Sequence, residues 1–570
     1  MSNAKIAAIL YEIADLLELK GVEFKPRAYR RAARSIETLG DDVVKYYKEN
    51  KLEEIPGVGK AIAKKIKEII ETGELNYLKQ LREELPAGLL QLMDIPEIGP
   101  KTAMRLYQEL KITNLHELKK AAEEHRIRRL KGFGEKSEQN ILTGIRILEQ
   151  RSGRMLLGYA HYYGKKIERY MMETTGLKTI SVAGSLRRMK ETIGDIDILV
   201  GSDNASAVMD AFIQFPEVEV VIARGETRGS VRLKDGVQID IRIVSEDCYG
   251  AALQYFTGSK EHNIELRRLA GDKGLKISEY GIFNKDTGEK IGGKTEEEIY
   301  EILGLQFIPP ELRENRGEIE AAAKHQLPKL IQLDQIKGDF HVHSRFSDGS
   351  ATVEEIAHEC RRRGYEYVAI TDHSETLKIA GGISAKDLAM NISAIRKLNE
   401  NMDDFRILAG AEVEILSDGK LDYPDAVLKD LDLVIAAIHS GFKMNKREMT
   451  ERILNAISND YVKILAHPTG RVIEQRDPYE VDLEKIIDEA KAKGVWLEIN
   501  ALPERLDLND VNIKLAKDMG SVMAIGTDAH SIDQLDYLLF GVATGRRGWL
   551  ESKDVMNTLS LEELESKLKL

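Results

Sequence analysis

Two aspartates one residue apart, Asp195 and Asp197, begin the apolar run GDIDILV. Alternate side chains of a β-strand point to the same face, so the two carboxylates would project together, roughly 7 Å apart along the chain. Neighbouring carboxylates near a core repel each other unless a cation or a shared proton compensates. The pair therefore indicates a metal site, and a strand end with two solvated aspartates is the alternative that these residues alone leave open.

A third carboxylate and a turn suited to phosphate accompany this pair. Asp240 lies in a second apolar run, VQIDIRIV, and adjacent strands are about 5 Å apart, so Asp240 could complete a site for two divalent ions. One ion would activate an attacking hydroxyl, whose proton Asp240 could accept, and the other would hold a leaving pyrophosphate. Upstream, Gly184 and Ser185 could begin a helix that presents amides and a hydroxyl to a triphosphate. Arg187 and Arg188 would add positive charge there.

A second series of potential metal ligands follows residue 337. Nearly all of them come directly after short apolar β-like runs, which predicts positions at the C-terminal ends of strands, where barrel enzymes assemble their sites. Imidazole and carboxylate together suit zinc, manganese or iron better than calcium, and such an ion would activate water for attack on a phosphate ester. A lone histidine is more often a core or surface residue, but this series is long. Its members are His341, His343, Asp348, His373, Glu412, His439, His467, Asp528 and His530.

Three glycine-containing motifs occur in the first 150 residues: IPGVGKAIAKKI (55–66), IPEIGPKTAMRL (95–106) and LKGFGEKSEQNI (130–141). Each combines an apolar residue, a turn with glycine and a helix start, whose free N–H groups suit a phosphate. The second motif has Glu97 in place of its first glycine, so its phosphate contact is the least expected. For any single motif an ordinary helix turn is the alternative. The motifs resemble the helix-hairpin-helix module, which grips the DNA backbone, and this resemblance implies contacts from Gly57, Gly59, Lys60, Gly99, Gly132 and Gly134.

Composition indicates a soluble multidomain protein. The chain has 570 residues, of which 42% are hydrophobic, and no uninterrupted apolar run approaches the roughly 20 residues of a membrane span. Acidic residues stand near the N-terminus where a signal peptide would be apolar. The two cysteines, Cys248 and Cys360, cannot build a disulfide framework. We therefore expect a cytoplasmic protein without a membrane partner.

The charge is unevenly distributed along the chain. Residues 1–336 carry 53 basic and 53 acidic side chains, so the whole net charge of −12 lies in the remaining residues. The neutral portion could still offer basic faces to nucleic acid, such as residues 25–34 and 64–67. The acidic portion is a poor general DNA surface, but it could hold several divalent cations.

Periodicity and turn residues predict the layout. Residues 1–150 show short amphipathic helices separated by glycine turns and should be all-helical. From 178 to 244, short β-rich runs predict one sheet. A mixed segment continues to about residue 306, the stretch 307–336 resembles a helical connector, and a new βα alternation starts at Gly338, where we place the major boundary.

Together these motifs resemble the family X DNA polymerases of the polymerase beta type. The GS turn, the DxD pair, the third aspartate and YFTGSKEHN (255–263) match that family's palm and thumb, and the glycine motifs match its helix-hairpin-helix regions. The likeness covers residues 1 to about 318. It implies that Asp195, Asp197 and Asp240 bind Mg²⁺ or Mn²⁺ and catalyse nucleotidyl transfer.

The resemblance also implies a dNTP site. Ser185 with Arg188 would hold the triphosphate, and Asn263 would reach the minor-groove edge of the incoming base. The YFTGS residues would line the sugar pocket and exclude a ribose 2′-hydroxyl, although an aromatic core strand ending in a turn is the alternative for that stretch alone. The implied site consists of Gly184, Ser185, Arg188, Gly194, Tyr255, Phe256, Gly258 and Asn263.

Two features limit what the resemblance implies. Gln238 stands where better-known relatives have an arginine beside the third aspartate, so the environment of Asp240 differs. Lys65 matches the amine that forms a Schiff base in relatives with 5′-deoxyribose phosphate lyase activity, and Tyr29 matches a nearby lyase-site tyrosine. Because lysines are plentiful in this region, a basic 5′-phosphate pocket is the more conservative prediction.

The C-terminal series resembles the PHP domain, the polymerase and histidinol phosphatase family, a distorted (βα)7 barrel with a trinuclear metal site. All nine ligand positions of that family are filled, with Asp348 in place of the histidine found in some relatives. The resemblance implies Zn²⁺ and/or Mn²⁺, up to three ions. Some PHP domains are degraded and serve as scaffolds, but the complete ligand set argues against that here.

The predicted fold class is therefore multidomain α/β: a helical helix-hairpin-helix region, a nucleotidyltransferase-type palm and thumb, and a distorted (βα)7 PHP barrel. The predicted domains are an N-terminal helical DNA-binding domain (1–82), helical fingers (83–150), a catalytic palm (151–245), a thumb (246–318), a linker (319–337) and the PHP domain (338–570).

The predicted function is DNA repair synthesis that fills short gaps, combined with a PHP 3′–5′ exonuclease or 3′-phosphoesterase; relatives suggest AP endonuclease activity as well. The predicted partners are gapped or nicked DNA and dNTPs, with unidentified repair proteins. The alternatives are a template-independent or RNA-tailing nucleotidyltransferase, a DNA-binding scaffold with an inactive core and, for the C-terminal site, a small-molecule phosphatase of the histidinol phosphate type or a structural domain.

Overall fold

The computed structural model of the protein describes residues 154–570 without interruption. Before them it describes residues 3–22, 24–37, 39, 43–72, 75–86, 89, 92–93, 98–113, 115–130, 133–134, 136–138 and 141–142. The chain divides into two compact units, Met1–Gly153 and Arg154–Leu570. No helix among the described residues is both long and apolar enough to span a bilayer.

The first unit contains helices and, among its described residues, no strand, which agrees with the sequence pattern. Apolar residues at helical spacing face inwards: Ile62, Ile66 and Ile69 are at most 7% exposed. One apolar core is shared by the first five helices, and a second surrounds the last two. The helices are α1 (Asn3–Leu19), α2 (Lys25–Glu37), α3 (Val43–Lys48), α4 (Lys60–Thr72), α5 (Asn76–Glu84), α6 (Pro100–Leu110) and α7 (Leu115–Glu123).

The second unit begins with the residues predicted to form the palm, and we keep that name for them. Strands β1 (Met155–Leu156) and β3 (Thr192–Ile193) form a short antiparallel ribbon. The β-rich runs between residues 178 and 244 form one sheet, as predicted, in the order β2 (Ile180–Val182), β4 (Ile196–Gly201), β7 (Gln238–Val244), β6 (Arg228–Leu233) and β5 (Val218–Arg224). Of these neighbours only β4 and β7 are parallel, and their register pairs Asp197 with Asp240.

The alternation of apolar residues orients this sheet. Ile196, Ile198 and Val200 are at most 1% exposed and pack against helices α8 (Leu157–Thr175) and α10 (Ala205–Ile213). The residues between them therefore take the opposite face. A single helical turn, α9 (Gly184–Arg187), connects β2 to the ribbon strand β3.

The thumb combines helices with a small antiparallel sheet. It consists of α11 (Tyr249–Thr257), α12 (Lys260–Asp272), β8 (Leu275–Ser278), β9 (Gly281–Asn284), β10 (Lys290–Gly292) and α13 (Glu296–Ile302). YFTGS thus lies on and after a helix, so the alternative of an aromatic core strand is wrong.

The connector at 307–336 is less helical than its pattern predicts. Its only α-helix is α14 (Glu318–Ala323), because Pro309, Pro310 and Pro328 remove backbone donors and interrupt helical hydrogen bonding. The connector is nevertheless well packed. Arg313 is fully buried there and donates to Glu296 Oε1 at 2.5 Å.

The C-terminal residues form the predicted seven-stranded parallel barrel. Its strands follow chain order: β11 (Gly338–Val342), β12 (Tyr367–Ile370), β13 (Arg406–Glu414), β14 (Leu433–Ala437), β15 (Val462–Leu465), β16 (Trp496–Asn500) and β17 (Met523–Gly526). A parallel bridge between Val342 and Ala529 joins the ends of the first and last strands, so the barrel is nearly closed.

Helices surround this barrel, as βα alternation requires. They are α15 (Val353–Arg362), α16 (Ala385–Asn399), α17 (Asp425–Leu428), α18 (Lys446–Ile457), α19 (Leu483–Lys493), α20 (Asp510–Asp518), α21 (Leu538–Arg547) and α22 (Leu561–Leu568).

Palm and barrel share one core, so the boundary predicted at Gly338 lies inside the second unit. Leu506 and Phe540 of the barrel belong to the apolar cluster of the palm sheet. Gly158 of α8 lies so close to Pro503 that a Cβ there would be 2.8 Å from the proline ring. Arg471 adds an ion pair to Glu191 at 2.7 Å. The predicted domain limits remain predictions, but palm and barrel are rigidly joined by these contacts.

Candidate functional sites

The palm brings the three predicted carboxylates together. One carboxylate oxygen of each of Asp195, Asp197 and Asp240 lies within 4.8 Å of the others. This follows from the parallel pairing of β4 with β7, which puts Asp197 and Asp240 side by side, and from the period of two that places Asp195 on the same face. Such spacing suits divalent ions with oxygen ligands.

The electrostatics of this cluster also fit a bound cation. Burial and the carboxylates of Asp195 and Asp240 raise the pKa of Asp197 to about 7. Burial and Asp240 likewise raise the pKa of Asp195. Electrostatic repulsion among three neighbouring carboxylates opposes their simultaneous ionisation, and a bound divalent ion would offset that repulsion.

The predicted phosphate turn lies directly against the carboxylates. Gly184 has φ +58°, and a Cβ at this position would be 2.1 Å from Asp197 Oδ2, so only glycine fits. Ser185 follows on the one-turn helix α9. Arg188, the residue after α9, is 9% exposed and donates from Nε to Glu314 Oε1 (2.9 Å) and from Nη1 to the Thr257 carbonyl (2.8 Å).

Arg187 is held in the same way by the thumb. Its Nη1 donates to Thr257 Oγ1 and to Glu296 Oε1, both at 2.8 Å, and its Nη2 donates to Glu296 Oε2 at 2.6 Å. Both predicted cations are therefore ion-paired with thumb carboxylates. Of the two, Arg188 is near enough to Asp197 to oppose the rise in the pKa of that carboxyl.

A cleft of ≈ 340 Å³ contains the three aspartates together with Tyr255 and Phe256. The two rings meet edge to face with centroids 5.1 Å apart. Gly258 leaves room for the Asn263 amide, because a Cβ on it would be 2.5 Å from Asn263 Oδ1. Asn263 Nδ2 donates to the Tyr255 carbonyl at 2.7 Å, which holds the amide in one orientation.

Gln238 contacts the third aspartate as its sequence position suggests. Its Nε2 donates to Asp240 Oδ2 at 3.1 Å. A neutral amide thus contacts Asp240, and it brings a hydrogen bond without a positive charge.

The barrel brings all nine predicted ligands together, with Glu412 at the centre. Five imidazoles surround this carboxylate, with nitrogens 2.8 to 3.7 Å from its oxygens: His341, His343, His373, His439 and His467. Burial alone would raise the pKa of Glu412, but the imidazoles, His439 and His341 first, outweigh burial and hold that pKa well below its ordinary value.

Two aspartates complete the cluster on either side of His343. Asp528 Oδ1 lies 3.2 Å from His343 Nε2, and Asp348 Oδ1 lies 3.9 Å from His343 Nδ1. Asp348 Oδ1 is also 3.3 Å from His530 Nε2. The strand ends supply these groups, since the ligands lie at or just after the C-terminal ends of the strands.

The barrel cluster has the properties of a metal centre. Three overlapping sets of its ligand atoms are each compact to within 4.8 Å. Buried atoms such as His341 Nε2, His343 Nε2 and Glu412 Oε2 have no hydrogen-bond partner among the described residues, which is costly unless a cation binds them. Burial, aided by neighbouring cationic groups, lowers the pKa of His343 and of His467 to about 4, so both imidazoles are neutral and available as ligands.

The structure adds two orienting carboxylates that the sequence analysis does not include. Glu498 Oε1 accepts a hydrogen bond from His341 Nδ1 at 2.5 Å, and its Oε2 accepts from the His467 backbone N–H at 2.6 Å. Glu414 Oε2 accepts from His439 Nδ1 at 2.9 Å. A carboxylate behind a metal-binding imidazole fixes the ring and its tautomer. In the sequence, the feature that could have identified Glu498 and Glu414 was an acidic residue inside an apolar strand run, LEIN and EVEIL respectively.

Glu498→Gln is expected to weaken metal binding by the barrel cluster about 10- to 100-fold, because a neutral amide holds the His341 ring less firmly. The measurement is the affinity for Mn²⁺ in an equilibrium titration, with Glu484→Gln on the exposed face of α19 as the matched control. Equal affinities for the two variants would exclude an orienting role for Glu498.

The helical unit brings the predicted lyase residues into one cavity. This cavity of ≈ 500 Å³ is lined by Tyr29, Gly57, Gly59, Lys60 and Lys65, among others. Lys65 Nζ lies 4.4 Å from the centre of the Tyr77 ring, and burial together with Tyr77 raises the pKa of Tyr29 to about 12.

The glycine motifs are described only in part. Gly57 has φ +84°, and Gly59 directly precedes α4. Gly99 is the N-cap residue of α6, and Gly134 is described without an assigned helix or strand. Gly132 and Glu97 lie outside the described residues.

Comparison with known proteins identifies the family. The chain is 40% identical over 572 residues to the DNA polymerase/3′-5′ exonuclease PolX of Bacillus subtilis (strain 168), and the match covers 100% of both chains. The chain belongs to the family X DNA polymerases with a PHP domain. Family models match this family X chain in four regions: a helix-hairpin-helix domain (1–75), a SAM-like helix-hairpin-helix tandem (89–146), a DNA polymerase beta thumb (252–314) and a PHP domain (339–501).

Two further relatives match parts of this family X polymerase. DNA polymerase lambda of Rattus norvegicus is 25% identical over 55% of this chain and 56% of its own length. A probable phosphatase of Thermoanaerobacter sp. (strain X514) is 33% identical over 34% of this chain and 78% of its own length. The family resemblance that the sequence analysis predicts is confirmed.

Proposed function

We propose that this family X enzyme fills short gaps in DNA by template-directed nucleotidyl transfer in the palm and shortens 3′ ends in the barrel, as a 3′–5′ exonuclease or 3′-phosphoesterase. The observation that carries the proposal is the presence, in one chain, of two separate ligand clusters suited to divalent ions. The similarity to the DNA polymerase/3′-5′ exonuclease of Bacillus subtilis supports this pairing of activities. The substrates are gapped or nicked DNA and dNTPs, in a repair role with partner proteins still to be identified.

In the palm, Asp195, Asp197 and Asp240 would hold Mg²⁺ or Mn²⁺, which would supply positive charge to the transferring phosphoryl group. Asp240 accepts the proton of the primer 3′-hydroxyl. Ser185, the α9 amides and Arg188 hold the triphosphate.

In the barrel, the nine residues would hold Zn²⁺ and/or Mn²⁺, up to three ions, and the bound metal would supply an activated water for attack on a phosphodiester or phosphomonoester. Glu412, at the centre, keeps the surrounding imidazoles in place, and Glu498 and Glu414 orient His341 and His439. The same chemistry at an abasic site gives AP endonuclease activity, which we include in the proposal.

The helical unit holds the gapped duplex through its backbone. Gly57 and Gly59 allow close approach of a phosphate to the α4 N-terminus, and Lys60 adds charge there. We assign the cavity beside them, with Tyr29 and Lys65, to the 5′-phosphate at the downstream edge of the gap. Lyase activity through Lys65 is the more specific form of this assignment.

Lys65→Ala is expected to weaken binding of a one-nucleotide gap with a 5′-phosphate about 5- to 10-fold, because one charge-assisted phosphate contact is lost. A gap with a 5′-hydroxyl should bind equally well to wild type and variant. Fluorescence anisotropy measures both, and Lys64→Ala, an exposed neighbour on α4, is the control. Equal weakening on the two DNAs would refute the 5′-phosphate pocket, and borohydride trapping of an abasic 5′ end tests the lyase step.

The proposed function is tested by comparing substrates on one preparation of wild-type enzyme. We expect a 5′-labelled primer to be extended on gapped DNA with dNTPs and shortened without them. Faster extension of an unpaired RNA than of the gapped primer would indicate a tailing nucleotidyltransferase. Hydrolysis of histidinol phosphate without shortening of a DNA 3′ end would indicate a small-molecule phosphatase.

A further inference from the structure

An arginine from the barrel reaches the phosphate turn of the palm. Arg547, the last residue of α21, donates from Nη1 to the Arg188 carbonyl oxygen at 2.7 Å and to Glu314 Oε1 at 3.0 Å. Its Nη2 donates to Asp510 Oδ2 at 2.6 Å. The Arg547 side chain is 4% exposed, so its guanidinium is fixed between the two parts of the unit.

The Arg188 carbonyl lies at the end of α9, the turn that places Gly184 and Ser185 beside the aspartates. Carbonyl groups at a helix C-terminus lack intrahelical donors, and a cation there is favourable. Since α9 is a single turn of four residues, it has almost no stability of its own. Arg547 therefore supplies a rigid donor that holds the end of this turn.

Arg547 also changes how strongly Glu314 neutralises the positive charge of Arg188. The same oxygen, Glu314 Oε1, accepts from Arg188 Nε at 2.9 Å and from Arg547 Nη1 at 3.0 Å. Burial would raise the pKa of Glu314, but the two guanidinium groups outweigh burial and lower it, so the carboxylate is ionised. One negative charge is thus shared by two positive charges. Without Arg547, Glu314 would neutralise Arg188 alone and leave less attraction for a triphosphate.

We propose that Arg547 is a positioning residue for nucleotide binding, through which the PHP barrel holds the α9 turn and Arg188 in the arrangement that binds the dNTP triphosphate. The inference rests on the proposed function, in particular on the role of Arg188. Arg547 touches no substrate and acts through Arg188 and Glu314. Full affinity for dNTPs therefore depends on a residue that lies 359 positions after Arg188 in the chain.

The test is single-nucleotide insertion into a one-nucleotide gap by wild type, Arg547→Ala, Arg547→Lys and the matched control Arg546→Ala. Arg546 neighbours Arg547 on α21, but it donates to Glu311 and to the Ile331 carbonyl. We expect Arg547→Ala to raise the KM for dNTP about tenfold and to change kcat less than about threefold. Primer shortening should stay within about twofold of the Arg546→Ala rate. The KM of Arg547→Lys should lie between the values for wild type and Arg547→Ala, since one ammonium cannot bind both the Glu314 and the Asp510 carboxylate.

A KM for Arg547→Ala within about twofold of the Arg546→Ala value overturns the inference. If Arg547→Ala lowers extension and shortening alike, the variant is misfolded and Arg547→Lys decides: a KM about threefold or more above the control supports the inference, and a KM equal to the control overturns it. Failure of the proposed function would look different, because wild type would not extend the primer or Asp240→Ala would still extend it.

Discussion

Asp240→Ala is expected to lower the rate of primer extension about 10³-fold or more. The Asp240 carboxylate belongs to the compact cluster with Asp195 and Asp197. Its loss leaves two carboxylates for the divalent ions and removes the acceptor of the 3′-hydroxyl proton. Single-turnover extension of a 5′-labelled primer in a one-nucleotide gap, with saturating dNTP, measures the effect, and shortening of the same primer without dNTPs should be unaffected.

Asp235→Ala is the matched control for this prediction. Asp235 precedes the same strand, β7, and accepts a hydrogen bond from the Tyr159 hydroxyl at 2.5 Å, and it does not belong to the carboxylate cluster. We expect Asp235→Ala to extend the primer at a rate within about threefold of the wild-type rate. Extension by Asp240→Ala at more than about a tenth of the wild-type rate would mean that Asp240 is not the proton acceptor.

Glu412→Gln is expected to reduce 3′ shortening about 10³-fold and to leave extension unchanged. Glu412 is the one carboxylate that all five surrounding imidazoles approach, and it is 2% exposed. The amide keeps the shape of the carboxylate but loses its charge, so the cluster attracts divalent ions less strongly. Shortening without dNTPs gives the rate, and elemental analysis of the purified variant should show less bound zinc or manganese.

Asp488→Asn removes an exposed carboxylate from α19 on the outside of the barrel and serves as the control. It should match wild type in both metal content and shortening rate. If Glu412→Gln shortened primers at the normal rate, the nuclease reaction would not take place at the barrel cluster.

The convergence of the candidate metal-binding side chains could be predicted because local patterns determine it. In GDIDILV and VQIDIRIV the period of two assigns the aspartates to one face and the isoleucines to the other, and any sheet that buries the isoleucines brings the carboxylates to its open face. In the barrel, ligands at the ends of apolar runs converge because parallel strands end at the same rim. Both arguments need only neighbouring residues and the rule that apolar faces are buried.

Other features depend on contacts between distant residues. Arg188 and Glu314 are 126 positions apart, and His341 and Glu498 are 157 apart, so no local pattern pairs them. The connector illustrates a different limit, because the helical spacing of its apolar residues was outweighed by prolines. The shared core of palm and barrel, with Leu506 and Phe540 inside the palm cluster, also lies beyond a reading of periodicity.

We propose that one chain carries two independent metal sites with opposing reactions on a primer 3′ end. The most direct test follows one 5′-labelled primer in gapped DNA with Mn²⁺, with and without dNTPs, for wild type, Asp240→Ala and His341→Ala. We predict that Asp240→Ala loses only growth of the primer and that His341→Ala loses only its shortening. Shortening that survives His341→Ala, or that is absent from wild type, would contradict the assignment of nuclease activity to the barrel.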